Sequence, residues 1–186
     1  MTTKSVLYPI EPLWFTNHPG KPKKIPEVTA SWIFEPESIT RRLRCLFGEV
    51  TVKILFHQQR PPFLSESRLL KLPSNRYCLT REVMLSAKGK PLIVARTIIP
   101  KKTLIGAQRN LSRLGTKPLG EVIFSYPKLQ RLDMQVALIE PSIWSSDVAN
   151  KIHLEQAVWG RRTIYAINKR QMLVSEFFLP EILENG

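Results

Sequence analysis

Apolar and polar positions alternate most clearly between Thr80 and Ile98, in TREVMLSAKGKPLIVARTI. Two apolar runs rich in β-branched residues flank Lys88-Gly89, the short-range signature of a two-residue β-hairpin turn. Folded there, the hairpin occupies roughly residues 77–99, Ala87 pairs with Lys90, and Pro100 ends the second strand. That register sets Arg81 directly opposite Arg96. Val83, Leu85, Leu92 and Val94 share their face, because side chains two apart along a strand point the same way. WGRRTIYAI and MLVSEFFLP, joined by NKRQ, predict a second hairpin. With its turn at Lys169-Arg170, Glu176 lies opposite Thr163 and shares a face with Met172, Val174 and Phe178.

The rest of the pattern supplies helices and further strands. PESITRRLRCLFG at 36–48 predicts a short helix, with Ser38 placed to cap its start and Gly48 to stop it. EVTVKILF at 49–56 and RLDMQVALI at 131–139 alternate as strands. TLIGAQRNLSRLGTKPLGEVIFSYPKL predicts a helix hairpin in which Thr103 caps the first helix, Gly115 ends it and Pro118 opens the second. A polar segment with little pattern runs from Glu140 to Gln156. Residues 1–30 are proline-rich and read as an irregular lead-in anchored by Leu13, Trp14 and Phe15. Hairpins with helices grouped between them predict an α+β fold, an antiparallel β-sheet with helices on one face, in a single domain over 31–186.

Composition narrows the class. A chain of 186 residues with 43% hydrophobic content is long enough to bury one proper core. Cys45 and Cys78 are far apart, lack CxxC or CxxH spacing, and accompany three scattered histidines, His18, His57 and His153. That pattern argues against a metal site or a disulfide framework and for a reducing cytoplasm, with both cysteines as apolar filler. No apolar run approaches the ~20 residues that span a bilayer, so no membrane insertion is expected. A monomer is expected. The net charge of +13 raises nucleic acid, an anionic membrane surface or an anionic small molecule as partners. KPKK, RRLR, KK, RR and KR stand as separate groups rather than one stripe, which argues against a specific nucleic-acid partner.

Two arginines and one glutamate on apolar strand faces are the candidate chemistry. One reading is a structural ion cluster, with Glu176 bridging Arg81 and Arg96. Like charges directly opposite on a sheet repel, however, and a single carboxylate leaves one buried guanidinium uncompensated. A bound anion completes the set, since the planar guanidinium fork matches a carboxylate. Free first-turn amides behind Ser38, at Ile39, and behind Pro118, at Leu119 and Gly120, offer further anion donors, a signal every helix carries. Arg161 and Arg162 alternate across their strand, so one approaches the ligand and the other solvent. Trp159 is expected in the core, and Trp144, Asp147 and His153 read most simply as loop residues.

Several separated segments carry a resemblance. YCLTREVMLSAKGKPLIVARTIIP, LGTKPLGEVIF, VWGRR and SEFFLP, in that order and over most of the chain from Trp32 to Pro180, resemble the chorismate lyases of bacterial ubiquinone biosynthesis. The resemblance implies an antiparallel sheet with helical flaps over an internal ligand site. It implies elimination of pyruvate from chorismate to leave 4-hydroxybenzoate, with neither metal nor organic cofactor. It also implies a site lined by Arg81, Arg96 and Glu176, with backbone amides at Ile39 and Leu119. Ile39 stands where the family often has Met, and Thr163 where Ser is more usual. The same fold type serves as an effector-sensing domain in some transcription regulators, so a non-catalytic small-acid sensor is the alternative.

Overall fold

Lys88 and Gly89 both adopt positive φ, 51° and 77°, the geometry of a type I′ turn. In the computed structural model, which describes residues 4–16, 25–106, 111, 113–152 and 154–185, this turn joins β3 (Cys78–Ala87) to β4 (Lys90–Ile99). Its register holds only at the turn. Ala87 pairs with Lys90 and Ser86 with Pro91, but Leu85 pairs with Ile93, leaving Leu92 as an extra residue. The bulge sits beside Pro91, whose ring nitrogen brings no donor to the ladder. Beyond it, Arg81 pairs with Thr97 and Arg96 with Glu82. The expected Arg81–Arg96 pair is therefore not formed. A one-residue slip against a period of two sends the two arginines to opposite faces.

In the second hairpin, β6 (Val158–Ile167) and β7 (Arg170–Phe178) are joined by Asn168 and Lys169, with φ of 50° and 65°. The turn lies one residue earlier than predicted, where the asparagine tolerates the left-handed region. Glu176 consequently faces Arg161 rather than Thr163. The displacement along the strand is two residues, so the face is unchanged.

All strand pairs are antiparallel. The order is β1-β5-β6-β7-β4-β3-β2, with β1 (Phe15–Thr16), β2 (Thr51–Arg60) and β5 (Gln130–Ile139) completing the seven strands among the described residues. One face is covered by α1 (Glu27–Ile33) and α2 (Ile39–Phe47): Trp32, Ile33 and Leu43 pack with Val83, Ile93 and Phe178. Ser38 accepts from the amide of Arg41 as predicted, and Gly48 ends α2 at φ 84°. On the same side α5 (Leu119–Phe124) begins behind Pro118.

The other face is covered as well. Leu7, Tyr8, Phe63, Trp144 and Val148 pack there against Val94, Ala137 and Phe177, together with α3 (Leu64–Leu69) and α6 (Ser146–Ile152). The polar 140–156 segment thus folds, with Trp144 in a second core, while His153 lies outside the described residues. In the lead-in Leu7 and Tyr8 are buried, Trp14 packs on Phe177 and Phe15 on Trp159, and Leu13 is 88% exposed. Thr103 caps nothing: α4 (Lys101–Gly106) starts directly behind Pro100, and the Thr103 hydroxyl donates to the Gln171 carbonyl at 2.6 Å. Cys45 is exposed. Cys78 is buried, which pushes its thiol up to about 11.

Arg96 belongs to this second face. Its guanidinium forks onto Glu66, Nε to Oε1 at 2.8 Å and Nη2 to Oε2 at 2.9 Å, and Nη1 donates to Glu82 at 2.7 Å. Glu82 also accepts from the Ser5 hydroxyl and the Val6 amide, so the network straps the chain start to the sheet. Removing one member of a fully buried ionic set leaves the others uncompensated. Arg96→Met is expected to cost about 3–5 kcal/mol of stability, read from urea unfolding at neutral pH; a loss within error of zero contradicts this reading.

Candidate active site

On the α2 side of the sheet, odd-numbered residues of β3 and β4 and facing residues of β6 and β7 enclose a cavity. Arg81, Val83, Ala95, Thr97, Arg161 and Glu176 form its floor, and Ile39, Thr40, Pro118, Leu119 and Gly120 its cover. Sheet and helices are thus both needed to close it. The unfilled space is about 40 Å³, room for a few waters, where ligand pockets hold several hundred. A ring-sized ligand enters only if the cover moves.

Arg81 is 2% exposed. Its Nη2 donates to the carbonyls of Gly115 and Lys117 at 3.0 and 3.1 Å, and its buried Nε has no partner. Among the described residues no carboxylate pairs with it. Burial alone lowers its pKa, to about 10, so it remains a cation at neutral pH.

Arg161 and Glu176 form the second charged element. Arg161 Nε donates to Glu176 Oε2 at 2.7 Å, and its Nη1 donates to the carbonyls of Ile33 and Glu35 at 2.8 and 3.0 Å. Burial is the largest single influence on Arg161 and opposes its charge, but Glu176, Tyr165 and Glu35 together outweigh it and the pKa is raised. Arg131 adds bonds from Nη2 to the carbonyls of Glu35 and Pro36 and to the Tyr165 hydroxyl. The joint between α1 and α2 is therefore tied to the sheet beside the glutamate.

Of the residues expected from sequence, Arg81, Glu176, Ile39 and Leu119 meet at this cavity, whereas Arg96 stands on the far side of the sheet, saturated by Glu66 and Glu82. Its place as the second guanidinium is taken by Arg161. That residue was legible in VWGRR once the turn is set at Asn168-Lys169. Arg162 does not reach solvent either: at 5% exposure it donates to Gln135 and Ser65 on the second face, both at 2.7 Å. Among the described residues no three His, Cys, Asp or Glu gather in a metal-binding group. No described helix is long and apolar enough to cross a membrane.

Residues 14–185 match the family described as chorismate lyase. The chain belongs to the chorismate lyase family. Among the relatives of this lyase, a probable chorismate pyruvate-lyase of Methylococcus capsulatus is 42% identical over 154 residues, covering 82% of this chain and 95% of that protein. Another of Thiobacillus denitrificans is 31% identical over 160 residues, 85% of this chain and 86% of that one. Among solved structures, the PhnF C-terminal domain has a TM-score of 0.57 at 10% identity, covering 78% of this chain and 89% of that chain. The ligand-binding domain of a putative GntR-family regulator from Bordetella bronchiseptica has 0.54 at 18%, covering 72% and 86%. At such identities the likeness is one of fold.

The lyase's cover is held by a close approach. A Cβ on Gly120 would stand 2.9 Å from the Ser38 hydroxyl and 3.9 Å from the Thr40 Cβ, so glycine lets the start of α5 sit on the start of α2. An exposed ion pair, Arg44 to Glu121 at 2.6 Å, spans the same two helices. Gly120→Ala sets a Cβ 2.9 Å from the Ser38 hydroxyl and is expected to part α5 from α2 and speed ligand uptake. Uptake no faster than the parent's contradicts a moving cover.

Proposed function

We propose that this chain eliminates pyruvate from chorismate to leave 4-hydroxybenzoate, the first committed step of ubiquinone biosynthesis, as a cytoplasmic monomer. The observation that carries the reading is the buried Arg81 guanidinium, which faces the cavity without a carboxylate partner. A dianionic substrate supplies what the fold withholds. Relatives named as probable chorismate pyruvate-lyases support the same substrate.

In the reaction the ether C–O bond of chorismate breaks and its electron pair leaves with the enolpyruvyl oxygen. The C–H bond on the adjacent hydroxyl-bearing ring carbon breaks too, and its pair closes the aromatic ring. The leaving enolate takes up a proton and becomes pyruvate. No water is consumed and no electron is exchanged with a redox partner. Much of the driving force is aromaticity, so the enzyme contributes alignment and charge. Arg81 binds a carboxylate and steadies the negative charge that grows on the departing fragment. The amides of Ile39 and Leu119 add donors from the cover. Glu176, oriented by Arg161, faces the hydroxyl end of the ring.

Purified protein incubated with chorismate is expected to release 4-hydroxybenzoate and pyruvate in equal amounts. Chorismate binding without product favours the sensor alternative. Arg81→Met is expected to lower kcat/KM about a hundredfold or more, while its melting temperature stays level or rises, because an unpaired buried charge is removed. A variant that melts earlier and turns over normally makes Arg81 structural. Arg161→Gln removes the Nε donor that orients Glu176 and is expected to lower kcat/KM about tenfold or more; a variant that turns over as the parent does takes the orientation of Glu176 out of the rate.

A further inference from the structure

The start of β3, the end of β4 with α4, and the β6–β7 turn come together at one end of the sheet, away from the cavity. They form a cleft of about 420 Å³ lined by six cations, Lys71, Arg76, Lys101, Lys102, Lys169 and Arg170, and by no acidic residue. All six are exposed. Among the described residues none is in an ion pair. Like charges crowded without counterions raise a local potential that a solvated face avoids by mixing signs.

Two apolar side chains stand out beside the cations. Tyr77, next to Arg76, is 59% exposed, and Ile105, one helical turn from Lys101, is 71% exposed. Leu70, Leu72 and Pro73 are among the residues that line the cleft. Lysine and arginine beside exposed aromatic and aliphatic groups match the headgroup layer of a bilayer, where charge meets phosphate and the apolar groups sink toward the acyl chains. A nucleic-acid strand answers the cations and can stack on the tyrosine, but it offers an isoleucine nothing to enter.

We propose that this end of the protein docks on the surface of a bilayer carrying anionic phospholipids, with the six cations on the phosphates and Tyr77 and Ile105 set among the headgroups. The contact is peripheral. It reaches the cover of the cavity through α4, where Leu104 packs against the cluster containing Leu119 and Ile123. Docking of this kind stands whether or not the substrate assignment holds.

The full chain is sedimented with phosphatidylcholine vesicles, with and without phosphatidylglycerol, at about 0.15 M salt. At least tenfold more protein is expected on the anionic vesicles, falling as salt rises. Lys101→Glu/Lys169→Glu and, separately, Lys71→Glu/Arg76→Glu are each expected to lose about tenfold of that partition. Ile105→Ser is expected to weaken it. All three are expected to keep the parent's melting temperature and its turnover without vesicles, since none of these residues lines the cavity. Equal partition onto neutral vesicles, or charge-reversed variants that bind as the parent does, overturn the proposal. So does release of the protein by duplex DNA, which makes the surface a nucleic-acid site, or by millimolar glycerol phosphate, which makes the cleft a site for a soluble anion.

Discussion

Side chains along a strand alternate between faces, so one extra residue in β4 decides the chemistry of both sides of this sheet. Leu92 is that residue, and downstream of it Arg96 turns toward Glu66 and Glu82 while Ala95 and Thr97 turn toward Arg81. Without the bulge two guanidinium groups would face each other across a pair of strands. With it, one arginine is neutralised by protein carboxylates and the other is left without one among the described residues. The placement of the cavity, the identity of its cations and the fastening of the chain start all depend on that one unpaired position.

The two faces treat buried charge in opposite ways. Beneath the start of the chain, Arg96 and Arg162 meet Glu11, Glu66 and Glu82, and no buried side-chain nitrogen or oxygen of these five is left without a partner. A buried polar set with its partners in place costs the fold little, and it ties the chain start to the sheet. Beneath α2 and α5, Glu176 pairs with Arg161, while Arg81 has only backbone carbonyls as partners among the described residues and keeps a donor without one. An under-satisfied cation in a dry place is unfavourable for folding alone and makes sense where an anion arrives from outside.

Much of the fold was legible because turn chemistry is local. Lys88-Gly89 and the Ser38 and Gly48 ends of α2 lie where residue type predicts them. Of the site, Arg81, Glu176, Ile39 and Leu119 were legible from their place on apolar faces and helix starts and from the family likeness. Register was not, since the bulge at Leu92 forms where β4 outruns its pairing with β7, a tertiary circumstance with no mark in the hairpin's own pattern beyond Pro91. Glu82 was the neglected signal: a glutamate beside Arg81 in an apolar strand must answer a cation on the other face. The second core under Trp144 was hidden because its apolar residues come from distant segments, none of them periodic enough alone.

The bond between Arg44 and Glu121 has a dynamic meaning. Both side chains are about half in water, so the pair is worth less than about 1 kcal/mol, and the rest of the grip between α2 and α5 is side-chain packing around one glycine. On the proposed function, a lid fastened so lightly opens on thermal energy rather than on a chemical trigger. Residence time behind it then becomes a property of how well the guest satisfies Arg81, with charged tenants held longer than neutral ones of the same size.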